Sequence, residues 1–150
     1  WAAATAGPRR YGFHATLKPP FHLAEGCDVA DLDMALARFA AGRKALQGPA
    51  LAVARLDGFL ALCPQGAAGG LDSLAGDCLR AFEPFRRPLD GETLTRRRAK
   101  GLSPRQEALL EGLFADALVS PLAVGGIALF REPAPGAPFE TVRRYLFAAP

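Results

Sequence analysis

The stretch Arg9-Arg10-Tyr11-Gly12-Phe13-His14-Ala15-Thr16-Leu17-Lys18-Pro19-Pro20 carries the densest chemistry in the chain. Read as a strand from Tyr11 to Leu17, its alternation sets Tyr11, Phe13, Ala15 and Leu17 on one face. Gly12, His14, Thr16 and Lys18 then share the other face, about 7 Å between successive members. An imidazole can move a proton, a hydroxyl can donate a hydrogen bond and an ammonium supplies positive charge, and all three suit one phosphate group. Arg10 has the parity of His14, which predicts either a place beside the same anion or a simple surface role, and Gly12 would leave the face open beside the ring. The alternative is a half-exposed strand whose polar side meets only water, since short H-x-T matches are common by chance.

Working outward, Trp1 to Ala6 reads as the tail of a helix stopped by Gly7-Pro8. Pro19-Pro20 interrupts the first strand, and Phe21 to Leu23 resumes it after the kink. Asp28 is placed to cap a helix from Val29 to Ala41, with Leu32, Leu36 and Phe39 at helical spacing and Gly42 as its stop. Ala50 to Arg55 and Phe59 to Cys63 read as an antiparallel hairpin turned at Asp57-Gly58. Leu71 to Phe85 has helical spacing through Leu74, Cys78, Leu79 and Phe82. Ser103-Pro104, with Gln106 at the third helical position, opens a helix predicted to reach Leu118. Leu122 to Phe130 reads as a strand, Arg131 to Pro138 as a loop and Phe139 to Phe147 as a final strand. The order β, α, ββ, α, α, β, β, with strands in hairpins, predicts an α+β domain of antiparallel sheets flanked by helices.

Composition sets the outer bounds. Of 150 residues, 50% are hydrophobic and 22% charged, as expected for one compact domain. Apolar runs such as Gly58 to Cys63 and Gly125 to Phe130 fall well short of the roughly 20 residues that span a bilayer. No signal peptide is visible, and Cys27, Cys63 and Cys78 are odd in number and far apart, which predicts neither a disulfide framework nor a CxxC metal site. The expectation is a cytoplasmic, monomeric protein with no cofactor and no metal. A net charge of +3 suits a small anionic ligand and is too weak to argue for nucleic acid.

The run Tyr11-Gly-Phe-His-Ala-Thr-Leu-Lys-Pro-Pro-Phe21 resembles the first histidine motif of bacterial phosphonate-metabolism proteins in the two-histidine (2H) phosphoesterase superfamily, which includes RNA 2′,5′-ligase-like proteins and cyclic phosphodiesterases. The similarity continues through Gly101-Leu-Ser-Pro-Arg-Gln-Glu-Ala-Leu-Leu, Gly126-Ile-Ala-Leu-Phe and Pro133-Ala-Pro-Gly-Ala-Pro-Phe. The resemblance implies a bilobed, pseudo-twofold fold in which each lobe gives one H-x-[ST] motif to a central cleft. One histidine acts as general base and the other as general acid; the hydroxyls hold the phosphate, and no metal is needed. His14 and Thr16 match the first motif, while the phosphate role of Lys18 rests on strand parity. The chain departs from the pattern in having two histidines only, His14 and His22, with no hydroxyl two residues after His22. By family order the second motif belongs near the Leu110–Glu111 junction. The expectation is a single domain over residues 1–150 lacking that segment and the strand that precedes Trp1 in the family. Two alternatives stand beside it: a member that truly lacks the motif, and a role for His22 as the second histidine.

Other candidates are weaker. Arg96-Arg97-Arg98 with Lys100 would suit a phosphate or an RNA backbone, although such runs are usually solvated and no aromatics interleave here. Arg9 has either a cleft or a surface role. Asp72, Asp77 and Glu83 lack the spacing of a paired-carboxylate site, and Cys27 and Cys78 read as small core residues. Gly66 to Gly70 is glycine-rich, yet no Lys-[ST] follows to make a P-loop. The predicted function is metal-independent hydrolysis of a small phosphorylated or nucleotide-like metabolite, a phosphoesterase or cyclic phosphodiesterase step in phosphonate metabolism. The competing prediction is a non-catalytic phosphate- or nucleotide-binding module of the same fold.

Overall fold

The computed structural model describes residues 14–56, 59–88 and 120–149. The predicted helix tail at Trp1–Ala6, the strand portion Tyr11–Phe13, the Asp57-Gly58 turn and the helix from Pro104 to Leu118 lie outside them. So do Arg9, Arg10 and the basic run 96–100. Two helices and six strands are described: α1 (Val29–Ala41), β1 (Leu46–Gly48), β2 (Leu51–Leu56), β3 (Phe59–Pro64), α2 (Gly69–Phe82), β4 (Leu122–Val124), β5 (Gly126–Arg131) and β6 (Glu140–Leu146). A 3₁₀ turn at Glu83–Phe85 follows α2. The strands form three antiparallel pairs, β1 with β4, β2 with β3 and β5 with β6, so the class is α+β.

The chain divides into two compact units. In the first, whose described residues are 14–45, 74–87 and 125–149, α1 starts where the sequence signals it. The Asp28 carboxylate accepts from the Asp31 N–H at 2.8 Å and the Asp31 carboxylate from the Asp28 N–H at 3.1 Å, a reciprocal capping box. Leu32, Leu36 and Ala40 recur along one stripe of α1, and Leu74, Cys78 and Phe82 along one stripe of α2. With Ile127, Tyr145 and Phe147 they make the core of this unit. The Phe39 and Phe82 rings meet with centroids 5.1 Å apart, and the Arg43 guanidinium lies 4.0 Å over the Phe39 ring. Arg43 also donates to Asp77 at 2.6 Å, as does Arg80, and these hydrogen bonds hold the Asp77 carboxyl below its ordinary range.

The second unit holds residues 46–73 and, among the described residues past 87, Pro88 and 120–124. Its β2–β3 hairpin is in register from Leu51 opposite Pro64 to Leu56 opposite Phe59, as the turn signal predicts. Gly48 lies close enough to Leu71 that a Cβ there would sit 3.0 Å from the leucine side chain.

Three elements differ from the sequence expectation. The helix predicted to end at Phe85 ends at Phe82, because Pro84 has no N–H to continue the ladder, and a 3₁₀ turn takes over. The strand predicted from Leu122 to Phe130 is two strands, with Gly125 between a segment paired to β1 and a segment paired to β6. The strand predicted through His14–Leu17 is not a strand. From His14 onward the chain makes no ladder and bends at Leu17–Lys18, and Pro19-Pro20 supply no N–H groups with which a ladder could continue. Past the prolines, pairing returns only as an isolated bridge. Leu23 faces Arg86, Ala24 N–H donates to Phe85 O at 2.9 Å, and Arg87 N–H donates to His22 O at 2.8 Å.

Candidate functional site

His14 and Thr16 come together, though by a route other than strand alternation. Both side chains are exposed, and His14 Nε2 lies 3.0 Å from Thr16 Oγ1 in a hydrogen bond whose donor depends on the ring tautomer. In one tautomer the hydroxyl donates to the ring, leaving a basic nitrogen already engaged with a proton donor. In the other the ring donates, and the hydroxyl proton is available to an acceptor such as a phosphate oxygen. The imidazole also packs against Phe130 of β5, with ring centroids 5.8 Å apart and planes tilted by 43°.

Phe130 owes its position to the β5–β6 pair. Ile127, opposite the buried Tyr145, turns into the core, so Gly126, Ala128 and Phe130 take the outer face. Between Leu129 and Phe130 the register shifts by a bulge. On the core side, Asp33 of α1 accepts from the Tyr145 hydroxyl at 2.6 Å and from Arg143 Nη1 at 2.8 Å, fixing α1 to β6. Burial and the carboxylate together push the Tyr145 hydroxyl well above the ordinary tyrosine range. A Cβ at Gly126 would lie 2.5 Å from the Tyr145 carbonyl oxygen, so this position admits glycine alone without a backbone shift.

Lys18 does not share the exposed face of His14 and Thr16. Its Nζ donates to Glu83 Oε2 at 2.6 Å and to the Leu79 carbonyl at 3.3 Å, and only 8% of its side chain is exposed. Glu83 is held from the other side by Arg86, whose Nε donates at 2.9 Å. Arg86 and then Lys18 lower the Glu83 carboxyl to about 2. Lys18 therefore ties the His14–Thr16 segment to the end of α2. The sequence spacing missed Glu83 and Phe130 because they lie 65 and 116 residues from their partners, beyond any local pattern.

The remaining candidates are placed as follows. His22 is exposed, and its backbone carbonyl is committed to Arg87. All three cysteines are free thiols. Cys78 is buried and pushed up to about 11, mainly by desolvation, which makes it an inert core residue, while Cys27 is half-buried. The Gly66–Gly70 stretch turns through Gly66 at φ +81 into the first residues of α2. Among the described residues, no group of three or more His, Cys, Asp or Glu side chains is placed to hold a metal ion. No helix among them is long and apolar enough to cross a membrane.

A family model described as "Protein of unknown function (DUF1045)" matches residues 16–113. A curated relative from Janthinobacterium sp. (strain Marseille), named ribose 1,5-bisphosphate phosphokinase PhnN, is 34% identical over 185 residues, covering 98% of this chain and 41% of the relative. A second protein of that name, from Laribacter hongkongensis (strain HLHK9), is 35% identical over 174 residues, covering 95% of this chain and 42% of its own length. The chain thus spans about two-fifths of the curated relatives it matches. No solved structure matches. With the family model spanning well over half its length, from Thr16 of the histidine segment onward, the chain belongs to the DUF1045 family.

Proposed function

We propose that this chain hydrolyses an ester or cyclic diester of a small phosphorylated sugar, with His14 moving the proton and Thr16 holding the phosphate. The observation that supports the reading is the exposed His14–Thr16 hydrogen bond at 3.0 Å, since an imidazole and a hydroxyl so paired have the chemistry to move a proton and to donate to a phosphate oxygen. The sugar phosphate class comes from the name shared by the relatives. Their kinase step does not carry over, because no Gly-Lys pair occurs anywhere in this sequence and the phosphate cradle G-x-x-x-x-G-K-[ST] needs one.

In this mechanism an attacking water or hydroxyl gives its proton to one imidazole as the bond to phosphorus forms, and the leaving oxygen takes a proton from a second imidazole. Lys18 holds the His14 segment against α2, and Arg10 supplies further positive charge to the phosphate. The second imidazole and the bilobed, pseudo-twofold fold belong to the two-histidine superfamily resemblance and are part of this proposal. The segment that would bear the second histidine falls near Leu110–Glu111. The alignment with the Janthinobacterium protein runs over 185 residues, 35 more than this chain contains, a difference long enough to include such a segment in that relative. A step in phosphonate metabolism within the cytoplasm fits this substrate class.

A second function, anion binding without chemistry, is favoured by the histidine count of two, since His22 has no hydroxyl two residues on. Hydrolysis of cyclic ribose phosphates and 2′,3′-cyclic nucleotides by the complete gene product in EDTA separates the two. Turnover that falls at least about a hundredfold in His14→Ala supports the hydrolase. Ligand-dependent thermal stabilisation with no product under single-turnover conditions supports the binding module.

A further inference from the structure

The outer face of β5–β6 carries a feature that the His14–Thr16 pair does not use. A shallow cavity of about 250 Å³ is lined by Gly126, Ile127, Ala128, Arg144 and Leu146. Small residues on β5 make the hollow: Gly126 lies opposite Leu146, and Ala128 opposite Arg144. Of the three arginines on this strand pair, Arg131 is paired with Glu140 at 3.0 Å and Arg143 with Asp33 at 2.8 Å. Arg144 is exposed and has no carboxylate partner among the described residues. Its guanidinium is a planar fork of donors suited to a phosphate.

The same face leads to the proposed reaction site. Phe130, whose ring touches the His14 imidazole, is two residues along β5 from Ala128, a separation of about 7 Å. The residue opposite Ala128 is Arg144.

We infer that Arg144 is a second anion-binding residue, and that the ligand of this chain is a sugar bearing two phosphoryl groups, one at His14–Thr16 and the other at Arg144, with the sugar lying over Ala128. The inference rests on the function proposed above for His14 and Thr16 and adds to it the charge of the ligand.

Calorimetric titration of the complete chain with inorganic phosphate, ribose 5-phosphate and ribose 1,5-bisphosphate tests it. The bisphosphate is expected to bind about tenfold or more tightly than the monophosphate, the advantage of one additional charge-assisted contact. Arg144→Gln is expected to erase that advantage while leaving monophosphate binding and the melting temperature unchanged, and Arg144→Lys to restore part of it. An unchanged bisphosphate-to-monophosphate ratio in Arg144→Gln overturns the inference, as does an equal loss of both ligands. If His14-dependent hydrolysis persists while the ratio stays unmoved, only the Arg144 assignment fails. If the ratio responds but His14→Ala leaves turnover intact, the catalytic assignment fails and the second anion site stands.

Discussion

At the residue scale, the orientation of the His14 ring is set by contacts that include the Thr16 hydroxyl and the Phe130 ring. The segment bearing it is held in turn by Lys18, whose ammonium closes a triad with Glu83 and Arg86. The Glu83 carboxyl is depressed to about 2, so the folded state binds its proton less readily than the unfolded chain does. Its contribution to stability is therefore complete above about pH 4.5 and is lost as the pH falls toward 2. Acid unfolding followed by circular dichroism should show a shallower pH dependence across that window in Glu83→Gln than in the parent chain. At neutral pH the same substitution should broaden or shift the backbone resonances of His14–Lys18 through loss of the Lys18 anchor, a change that two-dimensional NMR would detect.

At the element scale, the helices are governed by their apolar stripes and their caps. Leu74 is among the most completely buried side chains of the described residues, and Leu74→Ala should cost about 2–5 kcal/mol in denaturant unfolding. Asp28→Ala removes half of a reciprocal cap and should cost about 1 kcal/mol. The strand pair β5–β6 is sensitive at one point above others. Gly126→Ala would drive a methyl group into the Tyr145 carbonyl, so hydrogen exchange along β5 and β6 should accelerate even if the helices keep their protection. No such effect is expected from Gly136→Asn, since Gly136 sits at φ +85 with nothing near its missing Cβ, and asparagine tolerates that conformation better than most residues.

At the scale of the whole molecule, the chain divides into two units, and His14, Thr16 and Arg144 lie in the first of them. Within that unit the Tyr145–Asp33–Arg143 cluster joins residues 110 and 112 positions apart. Tyr145→Phe should cost about 1 kcal/mol, the usual net worth of one hydrogen bond. The Tyr145 hydroxyl is raised from its ordinary value of 10, so its contribution is intact below pH 10 and is lost as the pH climbs toward the raised folded value. Alkaline unfolding of Tyr145→Phe should accordingly lack that component of the parent's pH dependence.

Helix α1, the β2–β3 hairpin and the α+β class were legible from the residues alone, because caps, turn dipeptides and apolar periodicity act over a few positions and need no partner. The pairing of His14 with Thr16 was also within reach, since two residues of one short motif cannot lie far apart. What the sequence could not decide was where Lys18 points, that Phe130 supports the imidazole and that a strand written as Leu122–Phe130 changes partners at Gly125. Each of these depends on groups distant in the chain meeting in space. The gain from burying a contact or closing a ladder then outweighs local preference, and only the tertiary structure contains that competition.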